Sequence, residues 1–280
     1  MNPIAPGKIL SAWNLKPKHH FGQNFLCNPE ITERIAERVI QGQAGTAIEI
    51  GAGLGALTAP LLQRATRVIA IERDRDLVPI LNDLFSDAVG EARLTILEQD
   101  AKTADYAALF SMQPAPYFLA GNLPYQLTGP LLRRTVQLAK IVHRAVFMVQ
   151  LEVAARLCAS PGTRAYGALT VFGQACFSIE KLWVVKPGAF FPQPKVDSAV
   201  VEFMPRHPAI AEETPLFRDV VQLAFGQRRK KLRNAWSQLP NISATRLQTA
   251  ALRCDIDLND RGEMLDVTAF ARMTQELERC

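Results

Sequence analysis

A short apolar run, Ala47-Ile48-Glu49-Ile50, ends in Gly51-Ala52-Gly53-Leu54-Gly55, and an amphipathic stretch from Ala56 to Gln63 follows at once. A strand that passes into a helix through a glycine turn constrains the fold strongly. Glycine lets backbone come close to a ligand, and the helix start offers unpaired amides to an anionic group. The alternation continues. Strands are expected at 68–71, 94–97, 117–120 and 145–149, with helices at 77–85 and near 131–138. This pattern argues an α/β fold: a mostly parallel sheet with helices on both faces. Trp183–Val185 and Ser198–Phe203 read as two later strands, an antiparallel hairpin at the sheet edge.

Flanking segments differ in character. Residues 1–28 read as an irregular arm punctuated by Pro3, Pro6, Gly7, Pro17 and Gly22. A helix is expected after Asn28-Pro29, where Asn caps and Pro suits the first turn, with Ile31, Ile35, Ala36 and Val39 at helical spacing. Beyond Pro205-Arg206-His207-Pro208, helical periodicity governs 215–226, 231–239, 244–253 and 264–278. The expected division is an arm (1–28), an α/β domain (29–207) and a small helical domain (208–280).

The 280 residues, 48% hydrophobic and 21% charged, suffice for one large domain and a small one. No apolar stretch reaches the roughly 18–20 residues of a membrane span. The start lacks the basic-then-apolar pattern of a signal peptide, so a cytoplasmic protein without membrane attachment is expected. Five scattered cysteines, never spaced C-x-x-C, argue against a disulfide framework or a zinc site, and no metal is expected. The net charge of +5 is compatible with a polyanionic partner.

The glycine turn by itself leaves two cofactors open. Gly51-x-Gly53-x-x-Ala56 fits the dinucleotide fingerprint, with Glu72 about 20 residues on where a ribose-binding acid belongs. S-adenosylmethionine suits the same turn. Glu72 can accept both ribose hydroxyls, or it simply begins a solvated helix with Arg73-Asp74-Arg75-Asp76. Asp100 can accept from an adenine amine at the strand end, or cap the next element.

Asn122-Leu123-Pro124-Tyr125 follows the fourth strand of the alternation, Tyr117–Ala120. The exocyclic amine of adenine is a poor nucleophile because its lone pair is delocalised into the ring. Two acceptors, the Asn122 side-chain oxygen and the carbonyl of Leu123 or Pro124, would hold its protons and favour a tetrahedral nitrogen. Tyr125 would stack on the base, a contact worth about 1–3 kcal/mol. No nicotinamide chemistry needs this constellation, so the cofactor reading tips towards S-adenosylmethionine.

With these motifs the chain resembles the bacterial 16S rRNA adenine dimethyltransferases, relatives of the 23S rRNA methyltransferases of macrolide resistance. The resemblance runs nearly the whole length. It rests on Phe21-Gly-Gln-Asn-Phe-Leu26, the glycine turn, Asn122–Tyr125, Pro187-Gly-Ala-Phe-Phe-Pro-Gln-Pro-Lys-Val-Asp-Ser-Ala-Val200 and Ala224-Phe-Gly-Gln-Arg-Arg-Lys-Lys-Leu-Arg233, in the family's order. It implies a Rossmann-like methyltransferase sheet with a helical C-terminal domain. It also implies an S-adenosylmethionine site lined by Asn24, Leu26, Gly51, Glu72, Asp100 and Asn122, beside Gly53 of the turn, and Phe190 stacked on a flipped adenine opposite Tyr125. The implied substrate is two neighbouring adenines in a hairpin near the 3′ end of 16S rRNA, two methyls on each, within the small subunit or its precursor. The chain departs from the family at His19-His20, Gln126 and Leu151, where Lys or Arg, Asn and Lys respectively are usual.

The proline-rich loop is expected to hold Phe190 outward and leave Phe191 to packing. Between Val220 and Cys254 there are seven basic residues and no acidic one. Of these, Arg228, Arg229, Lys230, Lys231 and Arg233 are the expected phosphate contacts, setting affinity more than sequence choice. His19, His20, His143 and His207 all lie outside the motif cluster and make poor general bases. A monomer is expected. The competing readings are a 23S-type resistance methyltransferase, a nicotinamide-dependent oxidoreductase and a non-catalytic ribosome-assembly factor.

Overall fold

The computed structural model of the chain describes residues 5–18, 21–124, 127–227 and 229–279. Two compact units emerge: Met1–Ala154 with Glu180–Met204, and Ala155–Ile179 with Pro205–Cys280. In chain order the elements are α1 (Pro6–Ala12), β1 (Phe25–Leu26), α2 (Pro29–Ile40), β2 (Thr46–Ile50), α3 (Thr58–Leu62), β3 (Arg67–Glu72), α4 (Val78–Leu84), α5 (Ser86–Gly90), β4 (Leu94–Glu98) and α6 (Tyr106–Ser111). Then come β5 (Tyr117–Asn122), α7 (Thr128–Gln137), β6 (Arg144–Gln150), α8 (Leu151–Leu157), α9 (Ala168–Cys176), β7 (Phe177–Val185), β8 (Phe190–Phe191) and β9 (Ser198–Pro205). The tail holds α10 (Pro215–Gly226), α11 (Leu232–Trp236), α12 (Ala244–Arg253) and α13 (Val267–Glu278).

The seven-stranded sheet runs β4-β3-β2-β5-β6-β9-β7. Strands β4 to β6 are parallel and β9 is antiparallel to β6. β2 is buried along its whole length, as a parallel strand covered on both faces must be. Its partners divide: the chain goes from β2 to β3 on one side and later returns to β5 on the other. That reversal opens a crevice at the carboxyl ends of β2 and β5, the usual place for a ligand in an open α/β sheet.

Local chemistry explains the flanking helix. The Asn28 side chain accepts from the Glu30 and Ile31 amides (2.9 and 3.4 Å), Pro29 fills the first turn, and Gln41 closes α2 in the left-handed region. Its buried face, Thr32, Ile35, Ala36, Val39 and Ile40, packs on the sheet, and each large aliphatic there contributes roughly 1.5–3 kcal/mol. A buried ion pair ties this layer down. The Glu202 carboxylate meets Arg38 at 2.6 Å and Arg144 at 3.2 Å, and Arg144 also donates to the carbonyls of Arg38 and Val39.

Several expectations are revised. The arm is not irregular throughout, since α1 and β1 interrupt it. β7 extends well upstream of Trp183, because exposed Glu180 and Lys181 break its apolar pattern, and it lies beside β9 as the outermost strand. The helix expected over 231–239 shortens to α11, and α13 starts at Val267 behind an Asp266 cap. Residues 155–179, inside the expected 29–207 domain, group with the second unit: the ring of Phe172 on α9 packs edge-on against Phe217 of α10, 6.0 Å between centroids. That unit is built around Trp236, fully buried, whose indole donates to the Val220 carbonyl at 2.8 Å and whose ring meets Phe270.

Candidate active site

The cleft is made by close approach. A Cβ on Gly121 would lie 2.5 Å from the Ile50 carbonyl, so only glycine lets β5 sit this close to the end of β2. Gly51 and Gly53 then turn with φ of 74° and 59°, where glycine avoids the strain any side chain would meet. The result is a cavity of about 1320 Å³, lined among others by Asn24, Leu26, Gly51, Gly53, Glu72, Asp100, Asn122, Leu123 and Pro124. These residues, distant in sequence, converge on one face of the first unit. Tyr125 lies outside the described residues, as do Arg228, His19, His20 and Gln126.

Carboxylates govern the electrostatics of one wall. Glu72 is 8% exposed, and its oxygens accept the Gly53 amide at 2.8 Å and the Asp74 amide at 2.7 Å. Burial pushes its carboxyl up, against the opposing pull of those amides. Each oxygen retains capacity for a further hydroxyl. Glu49, under the glycine turn, is pushed up to about 8 by burial, although the Thr58 hydroxyl bonds it at 2.5 Å. Asp100 caps a local turn through the Lys102 amide at 3.0 Å, with Arg73 and Lys102 3.5 and 3.6 Å from its other oxygen. Capping and cavity lining therefore coexist at Asp100.

The opposite wall carries Asn122. Its Nδ2 donates to the Asn24 carbonyl at 2.9 Å. A carbonyl can only accept, so this bond fixes which end of the carboxamide is nitrogen and leaves Oδ1 as the acceptor. The Pro124 carbonyl already accepts from the Leu127 amide and the Thr128 hydroxyl.

Two motifs more than 160 residues apart meet here: β1 pairs with β8 antiparallel, Phe25 opposite Phe191 and Leu26 opposite Phe190. Successive strand residues face opposite ways, so one phenylalanine must turn in and the other out. The outcome reverses the sequence expectation. Phe190 is 3% exposed in the core with Leu26, whereas Phe191 is 42% exposed and lines the cavity. A proline-rich loop says that some ring is held outward, but only the strand register says which.

Sequence reasoning missed a cluster beneath the arm. Asp74, read as part of a solvated charge run, is 2% exposed. Lys18 Nζ reaches its Oδ1 at 2.5 Å, and Gln23 Nε2 its Oδ2 at 2.7 Å. The only signal for Asp74 was its position two residues beyond Glu72. Helix α1 was missed as well, and Leu10 there packs with Phe25, Leu54, Leu77 and Ile80 over the cleft.

The other expected residues are plainly placed. Arg229, Lys230, Lys231 and Arg233 are exposed in the second unit, with the Arg233 guanidinium held by Asn259. Arg246 and Arg253, in the same acid-free run, turn onto α13 through the Leu277 carbonyl and Glu276. His143 sits before β6, its amide bonded to the Tyr117 carbonyl at the start of β5, so it lies at the amino ends of the parallel strands, away from the cleft. Among the described residues, no group of three or more His, Cys, Asp or Glu is arranged to hold a metal ion.

Comparison with known proteins gives a consistent result. The family model described as ribosomal RNA adenine dimethylase matches residues 14–279. The chain is 39% identical over 282 residues to a ribosomal RNA small subunit methyltransferase A of Anaeromyxobacter dehalogenans, covering 98% of both. It is 40% identical over 267 residues to the Magnetococcus marinus protein of that name, covering 95% of this chain and 93% of the relative. A dimethyladenosine transferase from Plasmodium falciparum shares the fold at TM-score 0.76 and 23% identity, covering 91% of this chain and 98% of the other. The 23S rRNA methyltransferase ErmE aligns at TM-score 0.65 and 25% identity, over 91% of this chain and all of ErmE. Match length and identity together establish that this chain belongs to the ribosomal RNA adenine dimethylase family.

Proposed function

We propose that the protein dimethylates the exocyclic amines of two adjacent adenines in a hairpin near the 3′ end of 16S rRNA, in the small ribosomal subunit or its precursor. As a family member it is an S-adenosylmethionine-dependent rRNA methyltransferase with a Rossmann-like fold. The observation that carries the finer reading is the Asn24–Asn122 bond, which turns a carboxamide oxygen into a fixed acceptor at the strand-end crevice. The small-subunit target is supported by the names of the relatives near 40% identity.

The cleft suits the donor. Gly51 and Gly53 give a turn that no side chain obstructs, and Glu72 presents oxygens with spare capacity for ribose hydroxyls. Asn24, Leu26, Gly51, Gly53, Glu72, Asp100 and Asn122 would hold it, with Asp100 towards the adenine amine. When bound, S-adenosylmethionine would supply an electrophilic methyl whose C–S bonding pair stays on sulfur, and the methylated amine would give up its proton to solvent. The residues' share is positioning. Asn122 Oδ1 and the Leu123 carbonyl accept the amine protons, since Pro124 is already committed to the turn into α7. Tyr125 contributes the stacking face, and the base is drawn out of its helix to reach it. Exposed Arg229, Lys230, Lys231 and Arg233, with Arg228, meet RNA phosphates. The proposal takes the protein to act in the cytoplasm, where rRNA is made, and as a monomer. Among the described residues no helix is long and apolar enough to cross a membrane.

The test is transfer of labelled methyl to undermethylated small subunits, with large-subunit rRNA and fully methylated subunits as controls. Four methyls per undermethylated subunit, lost in Asn122→Ala, are expected. Transfer to large-subunit rRNA alone would move the protein to the resistance branch. Transfer to neither would sink the assignment.

A further inference from the structure

We propose that Asp74 is a positioning residue for methyl transfer: together with Lys18 and Gln23 it clasps the arm across the cleft and thereby fixes Asn122 through the Asn24 carbonyl. This inference rests on the reading of the cleft given above.

The clasp is a continuous chain of bonds. The Asp74 amide donates to Glu72 Oε1 at 2.7 Å, so its turn is tied to the acid expected to grip the ribose. Its carboxylate, 2% exposed, accepts Lys18 Nζ at 2.5 Å, Gln23 Nε2 at 2.7 Å and the Asp76 amide at 3.1 Å. Lys18 Nζ also reaches Asp76 at 2.6 Å. Gln23 is held at both ends, since its Oε1 accepts the Lys18 amide at 2.7 Å. The next residue is Asn24, whose carbonyl anchors Asn122 at 2.9 Å. Three bonded steps therefore connect the ribose side of the cleft to the adenine side.

Energetics point the same way. A buried carboxylate with charged partners is a weak way to gain stability, because desolvation offsets much of the attraction and an apolar group of similar size often serves as well. It is a good way to fix geometry, since bonds to charged groups are short and directional. The bonds span 51 and 56 residues of chain, and with the two-residue β1–β8 pair and the packing of Leu10 against Phe25 they order the arm. Burial works against the charge on Lys18, yet its bonds to Asp74 and Asp76 outweigh it and hold the ammonium above its ordinary range.

The experiment compares Asp74→Asn, Gln23→Ala, Lys18→Met and Lys18→Arg in the full chain. It reads kcat and the S-adenosylmethionine KM on undermethylated small subunits, the Kd for S-adenosylmethionine by calorimetry, and the thermal midpoint. A misplaced acceptor predicts a kcat lower by about 10–100-fold in Asp74→Asn and roughly 5-fold in Lys18→Met, with smaller changes in KM. Lys18→Arg restores most of the loss because it keeps a charged donor. Should Asp74→Asn fail to fold, the half-exposed Gln23 and Lys18 carry the same comparison. A lowered midpoint with kcat within about twofold of the parent would show the clasp to be structural only and overturn the proposal. Glu72→Ala separates the two levels. Unchanged S-adenosylmethionine affinity there removes the cleft reading and the clasp with it. Lost affinity in Glu72→Ala beside normal kcat in the clasp variants removes the clasp alone.

Discussion

The two units bury different things. In the first, Glu49, Glu72, Asp74, Arg144 and Glu202 are all under 9% exposed, and three of these line or brace the cleft. In the second, the core is Trp236, Phe217, Phe270 and their neighbours, the buried polar groups among the described residues include the hydroxyls of Thr170, Thr274 and Tyr166, and the Glu213 carboxylate turned inward is met by Arg218 at 3.0 Å. One unit accepts unfavourable electrostatics where chemistry is needed. The other packs like an ordinary helical core and sends its cations outside. Departures from simple burial rules mark working surfaces, and they are concentrated in one unit.

The contrast is most sharply tested where the expected effects are largest. Asn122→Ala should lower methyl transfer by about 10²–10³-fold while leaving the unfolding midpoint nearly unchanged, measured by radiolabel incorporation and calorimetry. Trp236→Ala should do the reverse in the other unit, costing about 3–5 kcal/mol in denaturant titration, because it empties a core site and removes the indole bond to the Val220 carbonyl. Phe190→Ala belongs with Trp236, at about 3–5 kcal/mol, whereas Phe191→Ala should stay within about 0.5 kcal/mol. Equal costs for the two rings would break the assignment of which one faces in.

Glu202→Ala should cost about 3 kcal/mol, since it leaves Arg144 buried without its counter-charge. Replacing Arg229, Lys230, Lys231 and Arg233 by Gln should leave stability alone and reduce the slope of log affinity for RNA against log salt by about 3. A full slope in that variant would mean that the phosphates are met elsewhere.

The last effect, seen only as pH changes, concerns Glu49. Its folded carboxyl, pushed up to about 8, lies above its unfolded value of 4.5, so the folded state holds the proton more tightly. Stability is therefore greatest below about pH 4.5 with respect to this group and is lost progressively as pH rises towards 8. Glu49→Gln should remove that loss, raising the midpoint of the ligand-free protein at pH 8 but hardly at pH 5, by roughly 2–4 °C per kcal/mol relieved. A pH-independent difference would show that Glu49 ionises normally.

Much of this was legible in the sequence because it is local. Helix α2 is announced by Asn28-Pro29, and β2, β3, β5 and β6 by apolar runs within a residue or two of their true ends. The glycine turn and Asn122 point to the strand ends on which they stand. What could not be read depends on pairing across long separations. The parity of Phe190 and Phe191 is set by Leu26, and the burial of Asp74 by Lys18 and Gln23. No periodicity within either segment carries that information. Strand β7 was read only at its end, Trp183–Val185, for a second reason: much of it faces solvent, so its apolar pattern is diluted.

That same dilution has a consequence for the protein in concentrated solution. β7 is the last strand of its sheet; Arg206 and Cys158 engage the Phe177 and Ile179 carbonyls at its start, and the rest of its edge is the row of backbone groups that an extended chain would meet. Exposed Glu180 and Lys181 put opposite charges in the middle of that row, where a second molecule would have to desolvate them to continue the sheet. Replacing both with valine would improve the apolar pattern and invite the open edge to recruit further copies into aggregates.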